Sequence, residues 1–137
     1  MTKVVLDTNL LFAALRSRNS HFREKLFSDE NTFYSSKYII VEIFKHKERI
    51  VKNAKVEDEN DVYEYLNEVL QRIHFINEDF VSISNYAKAY RMCKDVDEFD
   101  TPFVALALEL NAKLWSKDKI LKTGLRKKGF DNFFEDL

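Results

Sequence analysis

Near the start of the chain the apolar run Val4-Val5-Leu6 stops abruptly at Asp7-Thr8-Asn9. A run without polar alternation and rich in β-branched residues fits a strand buried on both faces. Such strands belong to parallel sheets covered by helices on either side. The design recurs near the other end, where Lys113-Leu114-Trp115-Ser116-Lys117-Asp118 again leads from apolar residues to an acid. In open α/β sheets ligands gather outside the carboxyl ends of the strands, where strand order reverses. Two strands that each deliver a carboxylate to that rim therefore constrain the fold and the place of its site together.

The segments between them alternate in type. Thr8-Asn9 is positioned to cap a buried helix over Leu10–Leu15. Residues 33–35 read as a second strand, and Ser36 opens an amphipathic helix with Ile39, Ile40, Ile43, Phe44 and Ile50 apolar and Glu42 in its first turns. Val62, Leu66, Val69, Leu70 and Ile73 share one helix face, followed by a short strand at His74-Phe75-Ile76 and a helix over about 79–92. Asp100-Thr101 stands ahead of Pro102, a capping pair before a residue tolerated in the first helical turn, so Phe103–Leu110 is expected as helix. A strand at 113–116, a short helix at 119–125 with Gly124 near its end, and a last short strand at 130–134 complete the reading. Strands alternating with helices imply an α/β chain with a parallel sheet covered on both faces.

A length of 137 residues suits one domain with one core, and two Gly and one Pro leave no room for a flexible linker. No internal repeat is visible. Hydrophobic content of 45% and charged content of 33% are ordinary for a soluble protein, and no apolar run approaches the roughly 20 residues of a membrane helix. Val4–Leu6 leads straight into Asp7, so no export leader is expected. Cys93 is the single cysteine and cannot form an internal disulfide, in keeping with a reducing, cytoplasmic setting; it reads as a buried, inert thiol. The net charge of −1 exerts no global pull on nucleic acid. Its distribution is uneven, with Lys113, Lys117, Lys119, Lys122, Arg126, Lys127 and Lys128 near one end and Glu57, Asp58, Glu59, Asp61, Glu64 and Glu68 in another stretch. Either run alone reads as a solvated helix face. The basic one, however, flanks Asp118, where cations would hold a phosphate backbone.

The topology would bring Asp7 and Asp118, past two strand ends, to the same rim as Asp100 at a helix start and Glu42 near another. Singly, each acid has an ordinary explanation as a cap, a turn or a surface residue. Together they would repel and raise one another's pKa unless a cation lay between them, and an all-oxygen donor set favours Mg²⁺ or Mn²⁺. Such ions take part of their shell from substrate phosphates, which points to hydrolysis of a phosphate ester by a metal-activated water. His21, His46 and His74 lack ligand spacing, and the many Tyr and Phe residues read as core.

Four segments carry a family resemblance: Val5-Leu6-Asp7-Thr8-Asn9, Glu42, the stretch from Asp97 through Leu108, and Leu114-Trp115-Ser116-Lys117-Asp118. With these the chain resembles the PIN domain, and more narrowly the VapC-type toxin ribonucleases, over nearly its whole length. The resemblance implies a three-layer α/β/α sandwich and metal-dependent cleavage of RNA. It matches Asp7, Glu42, Asp100 and Asp118 to an acidic quartet that binds Mg²⁺ or Mn²⁺, with Asn9 and Ser116 as polar supports; Ser116 stands where the family often has Thr. Asp97, Glu98 and Asp100 lie together, and Asp100 is the chosen ligand because it directly precedes the helix, with Asp97 as its supporting neighbour. Lys117 and Lys119 are candidates to steady RNA. A small antitoxin protein and a homodimer are implied as partners by resemblance alone. Other readings are a housekeeping RNA-processing or DNA-structure nuclease using the same acids, and a binding module that keeps the fold without catalysis. A dehalogenase-like phosphatase would want an Asp where Asn9 stands.

Overall fold

The computed structural model describes residues 2–17, 20–53 and 59–134; Glu57 and Asp58 of the acidic run lie outside them. In these residues β1 (Thr2–Leu6), β2 (Asn31–Ser36), β3 (Ile73–Ile76) and β4 (Lys113–Trp115) form one fully parallel sheet in the order β3-β2-β1-β4. The first two crossovers step from β1 outward to β3, and the third returns past β1 to β4. Right-handed crossovers then place α1 (Thr8–Ser17), α2 (Ser20–Leu26), α3 (Tyr38–Asn53) and α4 (Glu59–Gln71) on one face. The same rule places α5 (Ile83–Cys93) and α6 (Thr101–Leu110) on the other, where α6 packs on β1, β2 and β4. A final helix, α7 (Lys119–Lys127), touches α5. The result is the expected three-layer α/β/α sandwich, and its strand order reverses between β1 and β4.

β1 is central because Val4, Val5 and Leu6 have no exposed surface at all. Each contributes about 1.5–3 kcal/mol by leaving water, and only a strand covered on both faces satisfies three consecutive apolar side chains at once. α6 follows the same logic, with Phe103, Val104, Ala105, Leu106 and Ala107 all buried. It ends where Asn111 adopts a left-handed conformation (φ 51°), its N–H donating back to the carbonyls of Ala107 and Leu108.

Several boundaries differ from expectation for local reasons. α1 begins at Thr8, so Thr8 and Asn9 lie inside the helix; Asp7 is the residue that receives its N-terminal N–H. β2 extends to Ser36, whose hydroxyl accepts from the Tyr38 N–H at 3.2 Å as α3 starts. Phe44 projects from α3 at 65% exposure instead of joining Ile39, Ile43 and Ile50 in the core. Ile73, expected on a helix face, is the first residue of β3, because pairing opposite Phe33 buries it as well as the helix would. The expected helix over 79–92 is divided into a short 3₁₀ turn at Glu78–Phe80 and α5. The Asn77 side chain accepts from the Asp79 N–H, and the Ser82 side chain accepts from the Asn85 N–H, so each segment has its own cap. α2 was absent from the sequence reading. In place of a strand at 130–134 there is a single parallel bridge, Leu114 to Phe133, in which Leu114 N–H donates to Asn132 and its carbonyl accepts from Phe134, both at 2.9 Å. Cys93 is buried as expected, and burial pushes its thiol up to about 12, which suppresses the reactive thiolate.

Candidate functional site

The register of β1 and β4 builds the rim. Leu6 lies opposite Trp115, so the next residues, Asp7 and Ser116, emerge side by side where strand order reverses. Both are almost fully buried, at 2% and 1% exposure. The Ser116 hydroxyl donates to the Asp7 carboxylate and accepts the Asp118 N–H at 3.1 Å, tying the ends of the two strands together. On the β2 side the Ser35 hydroxyl donates to the Leu6 carbonyl at 3.0 Å.

Asp7 and Asp118 each cap a helix, yet capping uses only part of each carboxylate. Asp7 Oδ1 accepts the Leu10 N–H at 2.7 Å. Asp118 Oδ1 accepts both the Ile120 and Leu121 N–H groups at 3.0 Å, which leaves Oδ2 outside the cap. The ordinary reading of these acids as helix caps is therefore correct and compatible with a second role. Asp100 behaves differently. It stands at the start of α6 but makes no capping hydrogen bond; Thr101 instead donates its hydroxyl to the Glu98 carbonyl at 2.6 Å. Its carboxyl is buried at the rim, preceded by a 3₁₀ turn (Glu98–Asp100) whose own cap is Asp97, accepting from the Phe99 N–H at 3.0 Å.

The electrostatics identify which acids share a space. Burial pushes Asp100 up to about 7, and the charges of Asp7, Asp97 and Asp118 add to the effect. Burial also raises Asp7, as does the Asp118 charge, against the opposing pull of Ser116, the Leu10 N–H and the Lys122 ammonium. Asp7, Asp100 and Asp118 thus sit in one field, with Asp97 at its edge. Glu42 lies on α3 in a different setting: its Oε2 is 3.6 Å from His46 Nε2, and the Tyr38 hydroxyl donates to it, which raises the Tyr38 pKa. It lines a cavity of about 320 Å³ with Asn9, Phe12, His46 and Arg49 among its walls. Lys117 and Lys119 are exposed on either side of Asp118. Among the described residues no three acids, histidines or cysteines form a ready-made cage for an ion.

The sequence carries no separate cue for Tyr38, and it shows His46 only as a histidine without ligand spacing and Lys122 only as one member of the basic run. Tyr38 and His46 lie four residues before and after Glu42, the spacing that places side chains on one helix face. The influence of Lys122 on Asp7 depends on how α7 packs.

The buried Asp100 carboxyl has a consequence for stability. Its unfolded value is 3.8 and its folded value about 7, so the folded chain keeps a proton that the unfolded chain has lost. That contribution is complete below about pH 4 and disappears as pH rises through 7. In cation-free buffer at pH 8, Asp100→Asn should therefore raise stability by about 1–2 kcal/mol once the water reaching the rim is allowed for. The gain should vanish at pH 4, and thermal melts at the two pH values check it; an equal gain at both would show that charge burial is not its cause.

A family model described as "PIN domain" matches residues 5–137. The chain belongs to the PIN domain family. Its fold also matches two solved structures: VapBC2 from Rickettsia felis bound to a DNA fragment from its promoter, and VapBC-1 from nontypeable Haemophilus influenzae. Each has a TM-score of 0.62 and 16% identity to this PIN domain. The first match covers 96% of both chains, the second 92% of this chain and 94% of the other. No curated protein matches it. No helix among the described residues is long and apolar enough to cross a membrane.

Proposed function

We propose that this PIN domain is a metal-dependent endoribonuclease and the toxin of a toxin–antitoxin pair of the VapBC type. The observation that supports the reading is the charge coupling of Asp100 to Asp7 and Asp118, which adds to burial, the larger cause, in pushing Asp100 up to about 7. Two buried carboxyls, Asp7 and Asp100, each raised by burial and by the neighbouring Asp118 charge, fit a site for a hard cation, whose charge relieves the repulsion, and the all-oxygen donor set fits Mg²⁺ or Mn²⁺.

In this reading Asp7, Asp100 and Asp118 would hold the ion, with Glu42 on α3 as the fourth acid of the set. Held there, Mg²⁺ or Mn²⁺ would supply Lewis-acid charge at the phosphate and would lower the pKa of a bound water, making it a better nucleophile. The chain's own groups do the rest. Ser116 fixes the Asp7 carboxylate through its hydroxyl, and the α7 cap fixes Asp118. Tyr38 and His46 grip Glu42, while Asn9 lines the same cavity. Asp97 supports Asp100 from the preceding turn, and Lys117 and Lys119 hold the RNA backbone. No side chain acts as a covalent nucleophile.

An antitoxin protein as partner is supported by the two VapBC structures that share the fold, and by apolar side chains exposed on this chain, among them Val41, Phe44, Ile83 and Phe99. A homodimer belongs to the same reading, as does a cytoplasmic location, in which Cys93 stays reduced. The whole chain is read as one nuclease domain, since the buried side chains form one cluster and the family match runs from residue 5 to 137.

The test is incubation of the purified protein with labelled single-stranded and hairpin RNAs in Mn²⁺, Mg²⁺ or EDTA. Cleavage that requires the metal is expected. If calorimetry detects no binding of Mn²⁺ and every RNA stays intact, the reading fails.

A further inference from the structure

α7 presents three faces with different duties. Leu121 and Leu125 are buried, Lys122 acts on Asp7, and the stripe Lys119, Thr123, Lys127 faces a groove of about 550 Å³ whose opposite wall is the turn at Asp95 and Val96. Gly124 sets the width of that groove. A Cβ at this position would stand 2.6 Å from Val96 Cγ2, so any side chain here would push the Val96 side chain or the helix away from the turn. Lys119, which lines the groove, is the residue after Asp118, so one end of the groove lies next to the acidic rim in the chain.

Its charge is directional. Lys128 is neutralised by Asp95, with Nζ 2.9 Å from Oδ2. Among the described residues no ion pair engages Lys119 or Lys127. These two lysines are eight residues apart, about 12 Å along the helix, a length of strand that carries more than one phosphate. Between them Ile120 is 80% exposed and offers an apolar surface at the groove's edge. A duplex hides the faces of its bases, whereas an unpaired strand can set one against such a surface.

We propose that this groove is the track along which single-stranded RNA leaves the acidic rim, with Lys119 and Lys127 as positioning residues on successive stretches of backbone and Ile120 beneath an unpaired base. The assignment of RNA rests on the nuclease reading above; the track itself follows from the charge and shape of the groove.

The test measures binding, so that it does not depend on cleavage. Fluorescence anisotropy in EDTA follows a labelled 12-nucleotide single-stranded RNA binding to the full chain and to the K119Q/K127Q variant over a range of salt. Loss of two phosphate contacts should weaken binding about tenfold at low salt and make the plot of log K against log salt shallower by about 1.4. The K119R/K127R variant should restore both, and thermal melts of all three proteins should coincide. The proposal is overturned if K119Q/K127Q binds with unchanged affinity and salt dependence, if the unmodified chain does not bind, or if a duplex binds equally well with the same dependence on the two lysines. A chain that binds through the track, does not bind Mn²⁺ and cuts no RNA would overturn the nuclease reading alone.

Discussion

Asp7→Asn should yield a folded protein whose RNA cleavage in Mn²⁺ is reduced on the order of 10³-fold, the scale of the several kcal/mol of charge stabilisation a held metal ion supplies. The substitution isolates charge from structure. Asparagine is as good a helix cap as aspartate, so its side-chain oxygen keeps the bond from the Leu10 N–H that now measures 2.7 Å. It also removes a buried carboxyl already held above its usual range by burial and by Asp118. The melting temperature of the variant should consequently match or exceed that of the unmodified chain while activity collapses. Single-turnover cleavage beside a thermal melt separates these quantities. Near-normal cleavage by the variant would remove Asp7 from the metal set, and a large fall in stability would mean that its role is structural.

The largest effect on stability should come from Trp115, one residue before the rim. It has no exposed surface, stacks on Phe22 with ring centroids 5.2 Å apart, lies 5.8 Å from Phe33, and meets the edge of Phe134 at 5.0 Å. These contacts join α2, β2 and Phe134 to β4, whose Trp115 lies opposite Leu6 across the register. Truncation to alanine leaves a cavity among aromatic walls that are themselves locked in place, so Trp115→Ala should cost about 3–5 kcal/mol in urea unfolding. Trp115→Phe should cost much less. Among the described residues the indole N–H has no acceptor, so its removal relieves a buried donor and offsets part of the lost contact area. A loss below about 1 kcal/mol for the alanine variant would show that the cluster collapses around the gap or is less tightly packed than its centroid distances imply. Because Ser116 follows directly, the alanine variant should also weaken the support of Asp7, and cleavage should fall further than the folded fraction alone explains.

Much of this arrangement was legible in the chain. The strands ending at Leu6 and Trp115 and the helix behind Asp100 follow from runs of apolar residues and from capping chemistry, which depend on neighbours a few residues away. The same local grammar misplaced Ile73 and joined the turn at 78–80 to α5. A β-branched residue at the end of an amphipathic pattern satisfies helix and strand alike, and only pairing opposite Phe33 decides between them. Family membership was legible through Asp7, Asp100, Asp118 and their flanking residues, spread over most of the chain.

What the sequence by itself determined is the inventory: a buried parallel strand, acids just beyond strand and helix boundaries, and a basic stretch beside one of them. What only the tertiary structure decided is their relation. The order β3-β2-β1-β4 sets Asp7 beside Ser116, leaves Asp100 buried without a capping bond, and gives Glu42 to Tyr38 and His46 on α3. Periodicity and capping are short-range and can be read from adjacent residues. Strand order and burial are fixed by contacts between residues such as Leu6 and Trp115, 109 positions apart, whose joint removal from water no local pattern specifies.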